Sequence, residues 1–419
     1  MFVYNNMVHD ARVRKEARTL AQAGYDVTVL AVHEPGKTAR EETVQGFDIV
    51  RLSRSILGVS RREINARVRG QAPVGGGASR PTRLPAPRGA KARLLSALET
   101  AVRLFFYPVR RVLVYLRFVR AGLRTRADVY HAHDLNTLLM AWTASRVGKG
   151  RLVYDSHEIE TGRAGLKMRW WAAFLERALI GRADRVICTN QTRAEYTQQR
   201  YHLSPPVILR NLPAYVEPEP SPLLHQALGL ASETKVVLYQ GGVQPQRGLE
   251  QLLEAAPSIA GGVIVILGSG RLKPALQAQV ARRGLEQAVR FHDAVPVGEL
   301  SIWTACAYVG LQILQNTCLN HYSSLSNKLL EYLMAGVPVV ASDLPEMRRV
   351  IEDTCAGLLI DASDPAAIAD AINRLLAHKA LREDMSAKAK AARERYCWER
   401  EEHLLVDMYA GLLASRPGG

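Results

Sequence analysis

The sequence predicts an α/β chain of two doubly wound domains facing each other across a cleft, and three observations carry the prediction. Short apolar runs alternate with helical patterns nearly from end to end, as in parallel sheets built from βαβ units. A proline-rich, apolar-poor segment, "NLPAYVEPEPSP" (211–222), interrupts that alternation near the middle and reads as a linker. Polar and glycine residues recur just after the strand ends in both halves, the edge at which open parallel sheets hold ligands.

In the first half a helix over 13–23 leads into the strand "DVTVLAV", and "DIVRL" follows. After the basic stretch discussed below come "DVYHAH", a helix over 135–146, "RLVYDSH", a helix over 170–180, "DRVICTN" and "PVILRN". Beyond the linker the alternation restarts with "KVVLYQGG", "GVIVILGSG", "AVRFHDAV", "YVGLQIL", "VPVVAS" and "AGLLID". The expected domains are therefore 1–213 and 214–397. The last helical pattern, "WEREEHLLVDMYAGLLA", follows a completed sheet, so 398–419 is expected to pack back on the first domain.

Composition narrows the function classes. A 47% hydrophobic content belongs to a packed globular protein. The five cysteines are odd in number and widely spaced with no C-x-x-C pair, which points to a reducing compartment and away from structural zinc. No run of eighteen apolar residues and no secretory signal pattern occurs, so a cytoplasmic protein is expected. The charge of +15 is concentrated: residues 51–126 carry a net +16 and all others together −1, which argues against a general nucleic-acid surface. Within the expected basic region, about 54–126, a Gly/Pro/Arg-rich stretch has too few apolar residues to fold alone. Residues 94–126 then interleave Leu, Phe, Tyr and Val with Arg at helical spacing. They read either as an interfacial helix, with Arg103, Arg110, Arg111, Arg117 and Arg120 toward anionic headgroups and Phe105, Phe106, Tyr107 and Leu116 toward acyl chains, or as a domain helix with solvated arginines.

The strand-end residues are His131, His133 and Asp134; Asp155, His157 and Glu158; Asn190; Gly241 and Gly242; Gly268, Ser269 and Gly270; His292 and Asp293; and Ser342 and Asp343. The stretch "NKLLEYLMAGVPVVASDLPEM" adds a helix bearing Lys328 and Glu331, a turn at Ala335-Gly336, a strand and an acidic loop ending in Glu346. Lys328 and Glu331 form either an i,i+3 ion pair on a solvated face or part of a helix N-terminus that faces a bound anion and its sugar.

In order and spacing, "HDARVRKEARTLAQAGYDVTVLA", "VYHAHDLNTL", "YDSHE", "YQGGVQPQRGLEQLLEA", "ILGSGRLKPALQAQV" and "NKLLEYLMAGVPVVASDLPEM" resemble the retaining glycosyltransferases of family 4. The resemblance covers nearly the whole chain and implies the GT-B fold, two Rossmann-like domains with an interdomain cleft. It implies a nucleotide-sugar donor, UDP- or GDP-linked, transfer of a hexose-type sugar with retention, and no metal or other cofactor. Glu331 resembles the family's ribose-binding glutamate, and Asp293, Ala294 and Val295 its base-binding edge. Gly241, Gly242, Gly268, Ser269 and Gly270 match its glycine turns, and Arg247 stands where a phosphate-binding lysine is usual. Ser324, Leu325, Asn327 and Lys328 complete the donor side. His133 matches the histidine near the transferred sugar, with Asp134 orienting it or capping the next helix, and His157 and Glu158 facing sugar or acceptor. The expected catalytic set is His133, Arg247 and Lys328.

Two positions depart from the pattern. Ser323 replaces the second glutamate of the usual pair, and Gly242 replaces an arginine, a lost cation that Lys328 could restore. The expected partners are a donor nucleotide sugar, a glycan or lipid-linked acceptor of the cell envelope and an anionic membrane at the inner face of the plasma membrane. The alternatives are a soluble natural-product glycosyltransferase and a catalytically silent nucleotide-binding scaffold.

Overall fold

A computed structural model describes residues 1–55, 108–162, 169–219 and 221–414. The Gly/Pro/Arg-rich stretch, Arg103, Phe105, Phe106 and Tyr107 lie outside the described residues. The chain divides into two compact units, one of Met1–Glu160, Met168–Ile187 and Leu404–Gly419, the other of Thr161–Lys167 and Cys188–His403. The division falls before the linker because helix Gln191–Tyr201 bonds into the second unit. There Thr192 N–H and Oγ1 donate to Glu346 Oε1 at 2.9 and 2.6 Å, and Asn190 Nδ2 donates to the Ser323 carbonyl at 2.8 Å.

In the first unit β1 (Thr28–His33) lies parallel to β3 (Phe47–Ser53), and β2 (Glu41–Val44) is antiparallel to β3. The β2–β3 hairpin turns on Gln45 and Gly46, both at positive φ, the twist that two-residue hairpins require. β4 (Val129–His133), β5 (Arg151–Ser156) and β6 (Arg185–Cys188) follow in that order. Phe2 bridges Leu30 of β1 and Ala132 of β4, both in parallel sense, so the first residues act as the missing central strand. With this strand order, the right-handed crossover rule assigns the helix over 108–124, helix Leu135–Gly148 and helix Arg169–Leu179 to one face of the sheet, and helix Ala11–Gln22 to the other. The Tyr115 hydroxyl at 2.6 Å from Thr143 Oγ1 ties the first of these helices to the second.

The second unit carries the short β7 (Val207–Ile208) and then six parallel strands. These are β8 (Val236–Gln240), β9 (Val263–Leu267), β10 (Val289–His292), β11 (Val309–Gln312), β12 (Val339–Ser342) and β13 (Gly357–Ile360). Their order is β10-β9-β8-β11-β12-β13. Alternate residues of β8 enter two separate cores, Val237 and Tyr239 on one face, Val236 and Leu238 on the other, as a sheet covered on both faces demands. Strand order reverses between β8 and β11, which makes the carboxyl end of β8 the switch point where ligands sit.

The C-terminal helix, Trp398–Ala414, starts in the second unit, and its residues from Leu404 onward belong to the first. Among the described residues no helix is long and apolar enough to cross a membrane.

Candidate active site

At the carboxyl ends of β8 and β9 two glycine turns lock together. A Cβ on Gly268 would sit 1.9 Å from the Gly241 carbonyl oxygen, and one on Gly270 would sit 2.0 Å from that of Val243. These glycines serve the approach of one loop to the other, closed by Gly241 N–H to the Leu267 carbonyl and Val243 N–H to the Ser269 carbonyl at 2.9 and 3.1 Å. Lys273 Nζ ties in the neighbouring loop after β10, donating to the carbonyls of Gly268 and His292 and to Asp293 Oδ1. Asp293 and Ala294 themselves are exposed, and Val295 is half-buried.

Lys328 lies against this turn. A Cβ on Gly241 would sit 2.5 Å from Lys328 Cε, and Lys328 Nζ lies 4.8 Å over the Tyr239 ring. It does not pair with Glu331 one turn on, whose Oε2 accepts instead from Gln240 Nε2 at 2.7 Å. Burial, with the nearby Arg247 charge, lowers Lys328 to about 8, against the pull of Glu331. Burial raises Glu331, opposed by its Gln240 bond and by Lys328. Among the described residues neither Arg247 nor Lys328 forms an ion pair with a carboxylate. Helix Asn327–Met334 also starts without a side-chain cap, which leaves its first N–H groups without a side-chain acceptor. Ser324 and Leu325, just ahead of it, are half-buried, and Asn327 is exposed.

In the first unit β4 places His131 and His133 on one face of the sheet, where their rings stack at 4.3 Å. The Arg12 guanidinium grips Asp155 through Nε and Nη2 at 2.9–3.1 Å, and all these groups are buried. Burial works against the Asp155 charge, yet Arg12 and His157 hold that carboxyl well below its ordinary range. Asp155 Oδ2 also lies 2.9 Å from His157 Nε2 and 3.4 Å from His133 Nδ1. His157 is the outward member of the set, 18% exposed. Burial opposes its charge, but Asp155 and Asp134 raise it to about 9. Glu158 is exposed beside it. Burial, and then the Asp155 charge, push Glu16 up to about 8. Glu16, His131, His133 and Asp155 have the spacing of a metal site, but the cation already among these carboxylates is Arg12, 2.9 Å from both Glu16 and Asp155.

Two family models match the chain, Glycosyltransferase Family 4 over residues 11–211 and Glycosyl transferases group 1 over residues 234–378. The chain belongs to the family 4, group 1 glycosyltransferases. A D-inositol 3-phosphate glycosyltransferase of Xylanimonas cellulosilytica is 28% identical over 58% of this chain, and the match spans only 60% of that relative's length. The phosphatidyl-myo-inositol mannosyltransferase of Mycobacterium leprae is 28% identical over 69% of this chain and 74% of its own. Among solved structures, Anabaena HepE in complex with UDP-glucose superposes with a TM-score of 0.69 at 15% identity, covering 98% of each chain, so the fold is GT-B.

This glycosyltransferase differs from the sequence expectation at several residues. His133 is 1% exposed and turned inward, so His157 and not His133 is the histidine with surface to offer. Asp134 neither caps helix Leu135–Gly148 with its side chain nor bonds His133; its Oδ1 accepts from His157 N–H at 3.2 Å. Ser323 is fully buried, accepting from Arg193 Nε at 3.2 Å and donating to the Leu319 carbonyl at 2.8 Å. Gly242 is exposed, and a Cβ there would meet only Gln244 Cγ at 3.7 Å, so the arginine usual at that position is not excluded sterically. Sequence reasoning missed Arg12, Glu16, Gln240 and Tyr409, whose hydroxyl lies 2.8 Å from His131 Nδ1. Arg12 and Glu16 carried a signal: two charges one place before Val13 and Ala17 in the buried stripe of a helix.

Proposed function

We propose that this enzyme transfers a hexose-type sugar from a UDP- or GDP-sugar to a lipid-linked or cell-envelope glycan acceptor, with retention of configuration and without a metal. The observation that carries the reading is the pair Arg247 and Lys328, two cations without carboxylate partners among the described residues, beside interlocked glycine turns, with Glu331 held by Gln240 and not by Lys328. Fixed cations of this kind stabilise a leaving diphosphate more as its charge develops than before, which is where rate is gained. Glu331 accepts from the ribose hydroxyls, and the loop 293–295 supplies the base-binding edge. In the first unit the His157 imidazolium, held by Asp155 and Asp134, faces the sugar or the acceptor, the role expected of His133.

The UDP-glucose bound by HepE and the phosphatidyl-inositol acceptor in the name of the M. leprae relative support the donor and acceptor classes. A cytoplasmic protein, peripheral on the inner face of the plasma membrane through the basic segment, completes the reading. It is tested by a panel of UDP- and GDP-sugars scored for thermal stabilisation and for hydrolysis. Stabilisation and hydrolysis with one donor is the expected result. Stabilisation without hydrolysis favours the silent scaffold, and neither with any donor removes the donor assignment.

A further inference from the structure

The aromatic stripe on helix Arg169–Leu179 plays no part in either site. Trp170, Trp171 and Phe174 are 68%, 44% and 59% exposed on its first two turns. The same helix turns Leu179 and Glu176 inward, with Glu176 accepting from the Tyr154 hydroxyl, and leaves the three aromatic side chains outside the core. A second apolar stripe runs along the helix over 108–124, where Val109, Val112 and Leu116 are exposed at i, i+3 and i+7. Both helices lie on the same face of the sheet and flank helix Leu135–Gly148. Gly122 of the first lies against Ala144, and Arg182, just after the second, stacks on Trp142. As helices that return from the strands' carboxyl edge, both present these residues near that edge, on the side where His157 emerges.

The exposed charges of the three helices have one sign. Arg110, Arg111, Arg120, Arg124, Arg146 and Arg177 are exposed on the three helices, whose described residues expose no carboxylate. We infer that helix Arg169–Leu179 and the helix over 108–124 form one docking face for an anionic lipid bilayer, with Trp170, Trp171 and Phe174 inserted at headgroup depth. Tryptophan suits that depth because its ring is apolar and its N–H is polar, and arginines with long stems complete the contact without leaving water. The inference deepens the peripheral-membrane part of the proposed function and moves its centre. Arg117 does not face outward, since its Nη1 donates to the carbonyls of Ser53 and Ser55. The aromatic helix, expected over 170–180 but given no membrane role there, supplies the insertion.

The test uses the full chain with vesicles of neutral phosphatidylcholine, with and without phosphatidylglycerol, carrying brominated acyl chains. Tryptophan emission from the wild type should shift to the blue and be quenched with the anionic vesicles. Trp170→Ser, Trp171→Ser and Phe174→Ser combined should weaken partitioning roughly tenfold or more. Arg110→Gln with Arg111→Gln should leave weaker binding that responds less to salt. Donor hydrolysis in the absence of vesicles should be the same in wild type and both variants. This separates loss of docking from misfolding, and the vesicle arms give their answer even if no donor is hydrolysed. Equal partitioning of wild type and the aromatic variant overturns the inference, as does the absence of binding to anionic vesicles. So does a lipid-free dimer, seen by sedimentation velocity and lost in the aromatic variant, which would make a second copy the occupant of this face.

Discussion

Binding of a nucleoside diphosphate should drive a proton onto Lys328. Burial and the Arg247 charge hold that amine at about 8, so at pH 8 about half of the unliganded protein has it neutral, and at pH 7 about a tenth. A diphosphate beside Nζ favours the ammonium and returns its pKa toward the ordinary lysine range. Binding at pH 8 should therefore take up about 0.5 proton, falling to about 0.1 at pH 7. Above pH 8 the affinity should fall, approaching about tenfold per pH unit while the amine stays neutral in the free protein. Isothermal titration of UDP and GDP in buffers of different ionisation enthalpy measures the uptake directly. Lys328→Met keeps the packing of the stem over Gly241 and Tyr239 but has no proton to gain, so subtracting it also removes any contribution from the phosphate itself. Equal uptake at pH 8 by wild type and Lys328→Met, with both binding, would refute the assignment of Lys328 to the diphosphate.

A Cβ at Gly242 meets only Gln244 Cγ at 3.7 Å, and Gly242→Arg should tighten diphosphate binding by about 1.5–3 kcal/mol, the range of a charged hydrogen bond; titration showing equal or weaker affinity would mean that Gly242 does not face the phosphates. His157 has a folded pKa of about 9, above its unfolded value of about 6.5, so its contribution is fully present below pH 6.5 and is lost as pH rises through 9. That contribution is on the order of 3 kcal/mol, and the fall in melting temperature between pH 6.5 and 9.5 should be shallower in His157→Gln, identical slopes counting against the network. Tyr409→Phe leaves the buried His131 Nδ1 without its partner and should cost about 1–3 kcal/mol by urea titration, and an unchanged midpoint would show that the bond contributes nothing.

Much of the fold was legible because parallel strands buried on both faces are written as continuous apolar runs. Every strand of the second unit falls inside the run quoted for it, and helices Ala11–Gln22, Leu135–Gly148 and Arg169–Leu179 begin within two residues of their expected starts. What was not legible has identifiable causes. The β2 strand is exposed along most of its length, so it left no apolar pattern, and its Gln-Gly turn is a weak hairpin signal beside Asn-Gly. The supposed acidic loop at Glu346 is the first turn of helix Pro345–Thr354, which Pro345 in the first turn could have announced. On the donor side Gly241, Gly268, Gly270, Lys328 and Glu331 lie together at the carboxyl ends of β8 and β9. The inward turn of His133 and the outward place of His157 were not readable, since His133 is the last residue of β4 and His157 the first past β5, and the apolar pattern does not mark that boundary. The role of the 108–124 arginines depended in the same way on tertiary contacts, as the Arg117 bonds to two distant carbonyls make plain.

Asp134 holds φ 63° and ψ 164°, a region of backbone space that glycine alone occupies freely, at a cost of about 1–3 kcal/mol. Thermostability and turnover thus pull in opposite directions at a single backbone position. A library selected only for survival on heating above pH 9, where His157 is neutral and no longer gains from the Asp134 charge, should accumulate Asp134→Gly, since glycine relieves the strain and loses no helix cap. A library selected for sugar transfer should keep the aspartate for its hold on His157. Laboratory evolution under two regimes, with no structure consulted, would then sort the residues that maintain this fold from those that work against it.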